Sequence, residues 1–183
     1  MTGEEITKLR GETRKQRHDK KALTAVSMPI SIACINFSIE QNAAFVMRSA
    51  SVFGAFEVCC IGSTPKRSIM RDLSGGTYDI INFKQFSNPT DFIQYCRDEN
   101  IKMVSFELPS IHFPSVPLSD YRFDFTRRSV IIVGHETFGV PNEILAHSDR
   151  VYIEHQGIGF CLNTSQAANI ALYISSQQYK DYK

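Results

Sequence analysis

The chain is organised around the stretch Arg150-Val-Tyr-Ile-Glu-His-Gln-Gly-Ile-Gly-Phe-Cys-Leu-Asn-Thr-Ser-Gln-Ala-Ala-Asn-Ile-Ala-Leu-Tyr173. Its pattern predicts a short β-strand, a glycine-containing loop and a closing helix that Asn163 or Thr164 can cap. A loop between a strand and a helix offers free backbone donors and acceptors, and the helix N-terminus adds a partial positive charge. The stretch therefore predicts a ligand site, although alone it fits many nucleotide-like ligands.

Outward from this stretch, strand and helix patterns alternate along the chain. Nearly continuous apolar runs predict buried strands at residues 30–37, 56–61 and 129–133. Residues 101–106 also have a strand pattern, and a short strand is expected near 78–83. Helical patterns cover residues 38–53, 68–73 and 88–99, with Gly54 ending the first, Thr90 as a candidate cap of the third, and a short helix after Pro141. This alternation predicts an α/β domain with a mostly parallel sheet, helices on both faces and ligand sites beyond the carboxyl ends of the strands.

Size and composition indicate a single domain. At 183 residues and 43% hydrophobic composition, we expect one domain over residues 29–183 preceded by an arm over residues 1–28. The formal charge of +1 says nothing about partners. No apolar run is long enough to span a bilayer, and the N-terminus is polar rather than signal-like. The five cysteines include no Cys-x-x-Cys pair, so we expect a cytoplasmic protein without a disulfide framework or a metal site.

Cations gather in the first 28 residues. Arg10, Arg14, Arg17 and Lys21 recur at spacings of four, three and four, so a helix over this segment would align them on one stripe. One interpretation is an RNA-phosphate contact, because lysine and arginine clusters supply most of the sequence-independent affinity for nucleic acids. The other is a solvated, partly disordered extension. The sequence leaves both open.

Several common catalytic motifs are absent. His135-Glu136 lacks the second histidine of a zinc-protease helix, and the chain has neither a Gly-x-Ser-x-Gly elbow nor a Gly-x-x-x-x-Gly-Lys-Ser/Thr phosphate loop. Gly157-Ile-Gly159 begins a dinucleotide fingerprint, but the third glycine is missing and the segment lies near the C-terminus. A nicotinamide site is therefore not expected.

Four polar residues are candidates for a different site. Arg48 is the only charged residue between Glu40 and Glu57 and lies off the apolar stripe of its helix, which fits either a solvated or a functional side chain. Glu136 follows a buried strand between two glycines, which favours a hydrogen-bond acceptor over a plain loop charge. The ordinary role of the other two is helix capping; these are Asn42 and Asn163.

In order along the chain, three segments resemble the motifs of SPOUT-class RNA methyltransferases, in particular the SpoU/TrmH group that methylates ribose 2′-hydroxyls. They are Asn42-Ala-Ala-Phe-Val-Met-Arg48, Ile131-Ile-Val-Gly-His-Glu-Thr-Phe-Gly139 and Ile153-Glu-His-Gln-Gly-Ile-Gly-Phe-Cys-Leu-Asn-Thr-Ser165. The resemblance covers roughly residues 29 to 175. It implies a deep trefoil knot at the C-terminus, a homodimer and S-adenosyl-L-methionine as the cofactor.

The resemblance also implies roles for individual residues. Asn42, Arg48, Glu136 and Asn163 would form the catalytic and RNA-orienting set. The implied cofactor positions, mostly through backbone groups, are Phe106, Glu107, Gly134, Ile153, Gly157, Cys161 and Leu162. Two positions depart from the family pattern: Cys161 stands where serine is usual, which removes a hydroxyl contact, and Phe160 stands where a polar or basic residue is often found.

The implied reaction is in-line methyl transfer to a ribose 2′-oxygen, which needs no metal. Because guanidinium is always protonated, Arg48 is expected to stabilise the developing oxyanion and to position phosphate, with the proton acceptor left open. In the implied dimer, the arginine of one subunit can reach the site of the other. The favoured substrate is tRNA, with the D-loop guanosine as one possible target, and rRNA is second. The alternative is a degenerate SPOUT module that binds RNA without methylating it.

Overall fold

The computed structural model describes residues 2–183, apart from the side chains of Thr7, Leu9, Arg10 and Arg14. The helices of this range are α1 Gly3–Arg10, α2 Arg14–Ala22, α3 Glu40–Phe53, α4 Arg67–Leu73, α5 Pro89–Asp98, α6 Asn142–Leu145 and α7 Thr164–Tyr182. Its strands are β1 Ile30–Ile35, β2 Glu57–Ile61, β3 Asn82–Phe86, β4 Lys102–Phe106, β5 Val116–Pro117, β6 Ser129–Val133 and β7 Asp149–Tyr152.

The strands form one sheet in the order β3-β2-β1-β6-β4-β7-β5. Each pair of neighbours is parallel, which confirms the predicted sheet type. β2 and β3 lie on one side of β1, whereas β4, β5, β6 and β7 lie on the other. The strand order therefore reverses direction at the paired strands β1 and β6. Open parallel sheets commonly bind ligands at such a position, beyond the carboxyl ends of their strands.

Helices cover both faces of the sheet, as predicted. Alternate residues of the central strands pack with α3, α4 and α7 on one face, including Ile32, Cys34, Val58, Cys60, Ile131 and Val133. The intervening residues pack with α5 and α6 on the other face, including Ala33, Ile35, Cys59, Ile61, Val130 and Ile132. Because β1 and β6 are buried along their whole length, their sequences show continuous apolar runs rather than alternation.

Two predicted features of the middle of the chain are wrong in detail. The strand expected near residues 78–83 begins only at Asn82, because the backbone amides of Ile80 and Ile81 both donate to the carbonyl of Thr77 and close a turn there. Thr90 does not cap α5. The cap is Asn88, whose side chain accepts from the amide of Asp91, and Pro89 occupies the first helical position, where its fixed φ is favourable.

The arm forms two helices rather than one. Gly11 has φ of 68° and ends α1, and Thr13 starts α2 with a reciprocal capping box to Gln16. The expected single stripe through Arg10, Arg14, Arg17 and Lys21 is therefore wrong, because Arg10 belongs to α1 and the other three to α2. The side chains of Arg10 and Arg14 lie outside the described residues. That the four cations contact RNA stays a prediction.

Cys34, Cys59, Cys60 and Cys96 are buried thiols, and Cys161 is exposed. Within residues 2–183, no helix is both long and apolar enough to cross a bilayer. In the same range, no three His, Cys, Asp or Glu side chains are grouped as metal ligands. The absence of a functional metal and the threading of the C-terminal segment through a knot stay predictions.

Candidate cofactor cleft and polar network

A cleft opens at the carboxyl ends of β4, β6 and β7. Its walls are formed by the ends of these strands and by the β6–α6 and β7–α7 loops. Glu136 of the predicted catalytic set lines this cleft. So do most of the predicted cofactor positions, namely Phe106, Glu107, Gly134, Ile153, Cys161 and Leu162. Gly157 is not among the lining residues.

The floor of the cleft is a tight turn after β6. His135 and Gly139 exchange backbone hydrogen bonds of 3.0 and 2.9 Å. A Cβ atom added to Gly134 would lie 2.1 Å from the carbonyl carbon of Gly139. Gly139 itself has φ of 67°, and a Cβ atom there would lie 2.3 Å from a carboxylate oxygen of Glu107. Both positions therefore require glycine for the turn to close.

Glu107 serves this turn directly. One oxygen of its carboxylate accepts from the amide of Val140 at 2.8 Å, and the other accepts from the amide of Leu108 at 3.2 Å. The strand-end carboxylate thereby ties the end of β4 to the turn that follows β6. These two hydrogen bonds hold the end of β4 and the turn after β6 in fixed positions at the cleft.

The loop between β7 and α7 is held by His155. The two ring nitrogens of this residue lie 2.9 Å from the carbonyl of Ile153 and 3.1 Å from the carbonyl of Phe160. Beyond this link the tip of the loop is fully open to solvent, since Ile158 and Phe160 are 107% and 84% exposed. Sequence reasoning missed His155, because a single histidine in a glycine loop carries no periodic signal.

Glu136 ties the turn after β6 to the start of α3. Its carboxylate accepts from the amide and the hydroxyl of Ser38, both at 2.9 Å, and from the side-chain amide of Asn42 at 2.7 Å. Partial burial raises the pKa of Glu136, but these donors outweigh it and lower the pKa from 4.5 to about 2. The carboxylate is therefore ionised at neutral pH and is a poor proton acceptor.

Asn42 continues the network to α7. Its side-chain oxygen accepts from the amide nitrogen of Asn163 at 3.3 Å, and the side chain of Asn42 is only 4% exposed. The oxygen of Asn163 in turn accepts from the amide and the hydroxyl of Ser165, at 2.9 and 2.6 Å, which confirms Asn163 as the cap of α7. One chain of hydrogen bonds thus joins residues 136, 42 and 163, which are far apart in sequence.

Arg48 lies outside the cleft. It is exposed and lines a shallow groove between α3 and the start of α7, together with Phe45, Asn163 and Gln166. Within the described residues its guanidinium makes no hydrogen bond or ion pair. The four residues of the predicted catalytic set are therefore divided: Glu136 borders the cleft, Arg48 stands in the groove, and the Asn42–Asn163 pair lies between them.

The charge of the cleft limits which ligands it fits. Two carboxylates border it, from Glu107 and Glu136, and none of the described residues that line it is lysine or arginine. A phosphate group would find no cationic side chain here, whereas a neutral ring with a positively charged centre would meet apolar walls and two acceptors. The cleft thus suits a ligand that carries no phosphate.

Comparisons with known proteins agree with this geometry. The model of the family described as "SpoU rRNA Methylase family" matches residues 29–173. The chain is 24% identical to a tRNA (guanosine(18)-2′-O)-methyltransferase of Aquifex aeolicus (strain VF5) over 150 residues, which is 80% of this chain and 68% of that protein.

Solved structures share the fold, among them these two. The A. aeolicus TrmH/SpoU tRNA modifying enzyme has a TM-score of 0.74 and 22% identity, over 85% of this chain and 78% of that one. The SpoU methyltransferase AviRb from Streptomyces viridochromogenes, in complex with AdoMet, has a TM-score of 0.72 and 21% identity, over 85% of this chain and 60% of that one.

Proposed function

The chain belongs to the SpoU rRNA Methylase family, and we propose that it transfers the methyl group of S-adenosyl-L-methionine to a ribose 2′-hydroxyl of RNA. The observation that carries this proposal is the hydrogen-bonded series Glu136–Asn42–Asn163. It links one residue of each of the three motifs, and it stands between a cleft for the cofactor and a groove that holds an unpaired arginine.

The cleft fits this cofactor chemically. Its apolar walls suit an adenine ring, and the carboxylates of Glu107 and Glu136 add negative potential that favours a sulfonium cation. When bound, the cofactor supplies an electrophilic methyl group on sulfur, and the sulfur becomes a neutral thioether after the transfer. The proposed cofactor contacts are those expected from the resemblance: Phe106, Glu107, Gly134, Ile153, Cys161 and Leu162. Gly157 is not among the residues that line the cleft, so it is not included in the proposed contacts.

Arg48 is proposed to act on the substrate. A ribose hydroxyl is a poor nucleophile, so the site must align it and stabilise the negative charge that develops on its oxygen. Arg48 is the cation available for this, because it has no partner among the described residues. Asn42 and Asn163 would orient the ribose and its phosphate, while Glu136 holds the side chain of Asn42, which in turn accepts from Asn163. With a pKa of about 2, Glu136 is unsuited to accept the hydroxyl proton.

We further propose a homodimer formed through α3 and α7. Apolar side chains on these packed helices remain open to solvent, although the helices adjoin at Phe53 and Tyr173, whose rings are 5.9 Å apart. The exposed apolar residues of this face are Phe45, Val52, Ile170 and Tyr173. Since Arg48 lies on the same face, a second copy seated there would bring its own cofactor cleft close to this arginine. A fully active monomer would contradict this assembly.

tRNA is the favoured substrate class, because the relative from A. aeolicus is named as a tRNA methyltransferase; rRNA is the second. The domain over residues 29–183 would carry the reaction. The basic arm over residues 1–28, including Arg10, Arg14, Arg17 and Lys21, would contact phosphates. A cytoplasmic location is part of the same proposal.

The test is direct. The purified protein is incubated with methyl-labelled S-adenosyl-L-methionine and, separately, with unmodified tRNA and rRNA. We expect label in the tRNA fraction as a 2′-O-methyl nucleotide, mapped by its resistance to alkaline cleavage. Label in rRNA alone would reverse the order of the two substrates.

A second candidate, an RNA-binding module without activity, is favoured only by Cys161 and Phe160, which replace polar residues of the family pattern. Binding of cofactor and of RNA without incorporation of label into either RNA would establish that candidate and overturn the proposed reaction.

A further inference from the structure

A second groove lies beside the cofactor cleft, at the carboxyl ends of β1, β2 and β6. It is lined by residues of the three loops that follow these strands, among them Asn36, Ser38, Ser63, Pro65, His135 and Phe138. Its volume is about 540 Å³, within the range of roughly 300–1,000 Å³ that is usual for small-molecule sites. None of the functions discussed so far uses this groove.

The aromatic ring of Phe138 forms one wall. This side chain is 82% exposed, and the described residues offer it no apolar pocket. It is nevertheless held in position: its ring packs on that of His135 with centroids 4.8 Å apart, and its backbone amide donates to Nδ1 of His135 at 3.4 Å. A large aromatic ring that is fixed and open to solvent is the feature with which proteins stack unpaired bases of RNA.

The opposite wall is also preformed. Asn36 follows β1 with φ of 45°, and its side-chain oxygen accepts from the amide of Ser63 at 2.9 Å. This bond joins the loop after β1 to the loop after β2, where Pro65 borders the groove but is itself buried. Lys66 continues the same loop and is exposed. The groove thus combines one exposed aromatic surface, loops that are already tied together, and a lysine that follows its lining residues in sequence.

The groove and the cleft are neighbours. Both are lined by His135, and Glu136 between them holds Ser38, which lines the groove. A nucleotide whose ribose lies at this shared border, near Glu136 and Ser38, would direct its base into the groove. The ribose would then face the methyl donor in the cleft.

We propose that this groove receives the base of the methylated nucleotide, with Phe138 as the stacking surface and Glu40 as the acceptor for donors on the base edge. This inference rests on the proposed function. Glu40 lines the groove, and within the described residues it has no hydrogen-bond or ion-pair partner. A carboxylate repels an RNA backbone, so its presence beside a nucleotide site is favourable only where it accepts from a base.

The chemistry of a carboxylate selects among bases. Ionised Glu40 can only accept hydrogen bonds. Guanine presents two adjacent donors, N1–H and the N2 amino group, which a carboxylate can accept together, whereas adenine places an acceptor at N1. The groove should therefore prefer guanine. Glu40 could instead have a purely structural role. It is the first residue of α3, and its charge would then only complement the positive N-terminus of that helix.

The test uses binding as well as methyl transfer. The probes are fluorescein-labelled single-stranded RNA pentamers with guanosine, inosine or adenosine at the centre; inosine lacks only the N2 amino group. We expect Phe138→Ala to weaken binding of the guanosine pentamer roughly ten- to a hundredfold, the usual effect of losing one base stack. Phe138→Trp should bind within about threefold of the wild type. Ile111→Ala, which truncates a side chain that is 97% exposed elsewhere, is the matched control.

Glu40→Gln tests the base edge. The wild-type protein should bind guanosine at least about tenfold more tightly than inosine, the size expected for one hydrogen bond to a charged acceptor. The variant should bind the two pentamers nearly equally. If Glu40 serves only the helix, Glu40→Gln will lower the melting temperature without changing this ratio, which would overturn its assigned role.

Two results separate this inference from the proposed function. If the wild-type protein methylates RNA but Phe138→Ala has the same kcat/KM and the same pentamer affinity, the groove is not the base site while the function stands. If no RNA is methylated but the pentamers bind with the expected dependence on Phe138, the function fails and the base site stands. A loss of cofactor affinity in Phe138→Ala equal to its loss of RNA affinity would also overturn the inference.

Discussion

Two carboxylates at opposite ends of the sheet are held in opposite ways. Glu136 follows the carboxyl end of β6 and is surrounded by neutral donors: the backbone and hydroxyl of Ser38 and the amide of Asn42. Glu57 begins β2 and is only 1% exposed. Its carboxylate lies 3.7 Å from the cationic groups of both Lys84 and Arg128 and accepts from the hydroxyl of Tyr95 at 2.7 Å.

The difference separates a structural cluster from a functional one. Around Glu57 the neighbouring cations are occupied: Arg128 also contacts Glu99 at 2.5 Å and lies over the ring of Phe56, and Lys84 lies over the ring of Tyr95. Around Glu136 the carboxylate is satisfied by neutral donors, and Arg48, in the groove on the other side of Asn42, has no ion-pair partner among the described residues. The cations beside Glu57 are therefore used by the fold, whereas Arg48 is available to a ligand.

The largest effect that would test this distinction is expected for Arg48→Ala. Removing a cation that stabilises the transition state should lower kcat/KM for methyl transfer roughly a hundred- to a thousandfold. The melting temperature should change by less than about two degrees, because Arg48 is exposed and has no partner among the described residues. Cofactor affinity, measured by calorimetry, should stay within about twofold. An equal loss of cofactor binding would show that Arg48 supports the cleft instead.

Glu57→Gln should have the complementary effect. Removing the charge leaves Lys84 and Arg128 without their common buried partner, so the free energy of unfolding should fall by about 3 kcal/mol. Denaturant melts measure this loss. The kcat/KM of the remaining folded protein should be unchanged, since this cluster lies at the end of the sheet away from the cleft. Glu99→Gln is the matched control: its side chain is 51% exposed, and its loss should cost less than about 1 kcal/mol.

The third-largest effect is expected from acid, which should lower the stability that Glu136 contributes. The pKa of Glu136 is lowered from 4.5 to about 2 in the folded protein, so ionised Glu136 stabilises the fold above pH 4.5. That contribution should be lost progressively as the pH falls from 4.5 towards 2. Because Glu136 is partly open to solvent, its size is on the order of 1 to 2 kcal/mol.

The measurement is the difference between the wild-type protein and Glu136→Gln in urea melts from pH 7 to pH 3. A difference is needed because Asp149, whose pKa is lowered by hydrogen bonds from Lys102 and Tyr121 that outweigh its desolvation, also contributes to acid sensitivity. The stability gap between the two proteins should narrow below pH 4.5. A constant gap over this range would mean that the hydrogen bonds of Glu136 do not depend on its charge.

The same two ends show what could be predicted from the sequence. The buried strands β1 and β6 and the cap at Asn163 follow from local patterns, because burial on both faces and capping are properties of a few consecutive residues. The three motifs identify residues of the polar network. What local patterns could not give is the hydrogen bond between Asn42 and Asn163, which joins two helices across most of the chain.

Glu57 and the arm show two other reasons why a feature of the structure is missed in the sequence. Glu57 looks like the ordinary start of a strand, since its partners Lys84, Tyr95 and Arg128 come from three separate elements. The break in the arm, in contrast, was readable: Gly11 and the box Thr13-x-x-Gln16 are standard signals of a helix end and a helix start. These signals decide where the backbone breaks, whereas the four-three-four spacing of cations says only which side chains would align if one helix formed.

The smallest effect should come from Cys161→Ser, which restores the hydroxyl of the family pattern at the rim of the cleft. Cys161 is exposed, and none of the described residues hydrogen-bonds to its thiol. A serine hydroxyl adds one stronger donor, so kcat/KM should rise by no more than about threefold and stability should not change. The gain is small because the cleft is shaped by backbone contacts at Gly134 and Gly139 and by Glu107. An increase above about thirtyfold would instead make position 161 part of the catalytic network, with a weight like that of Arg48.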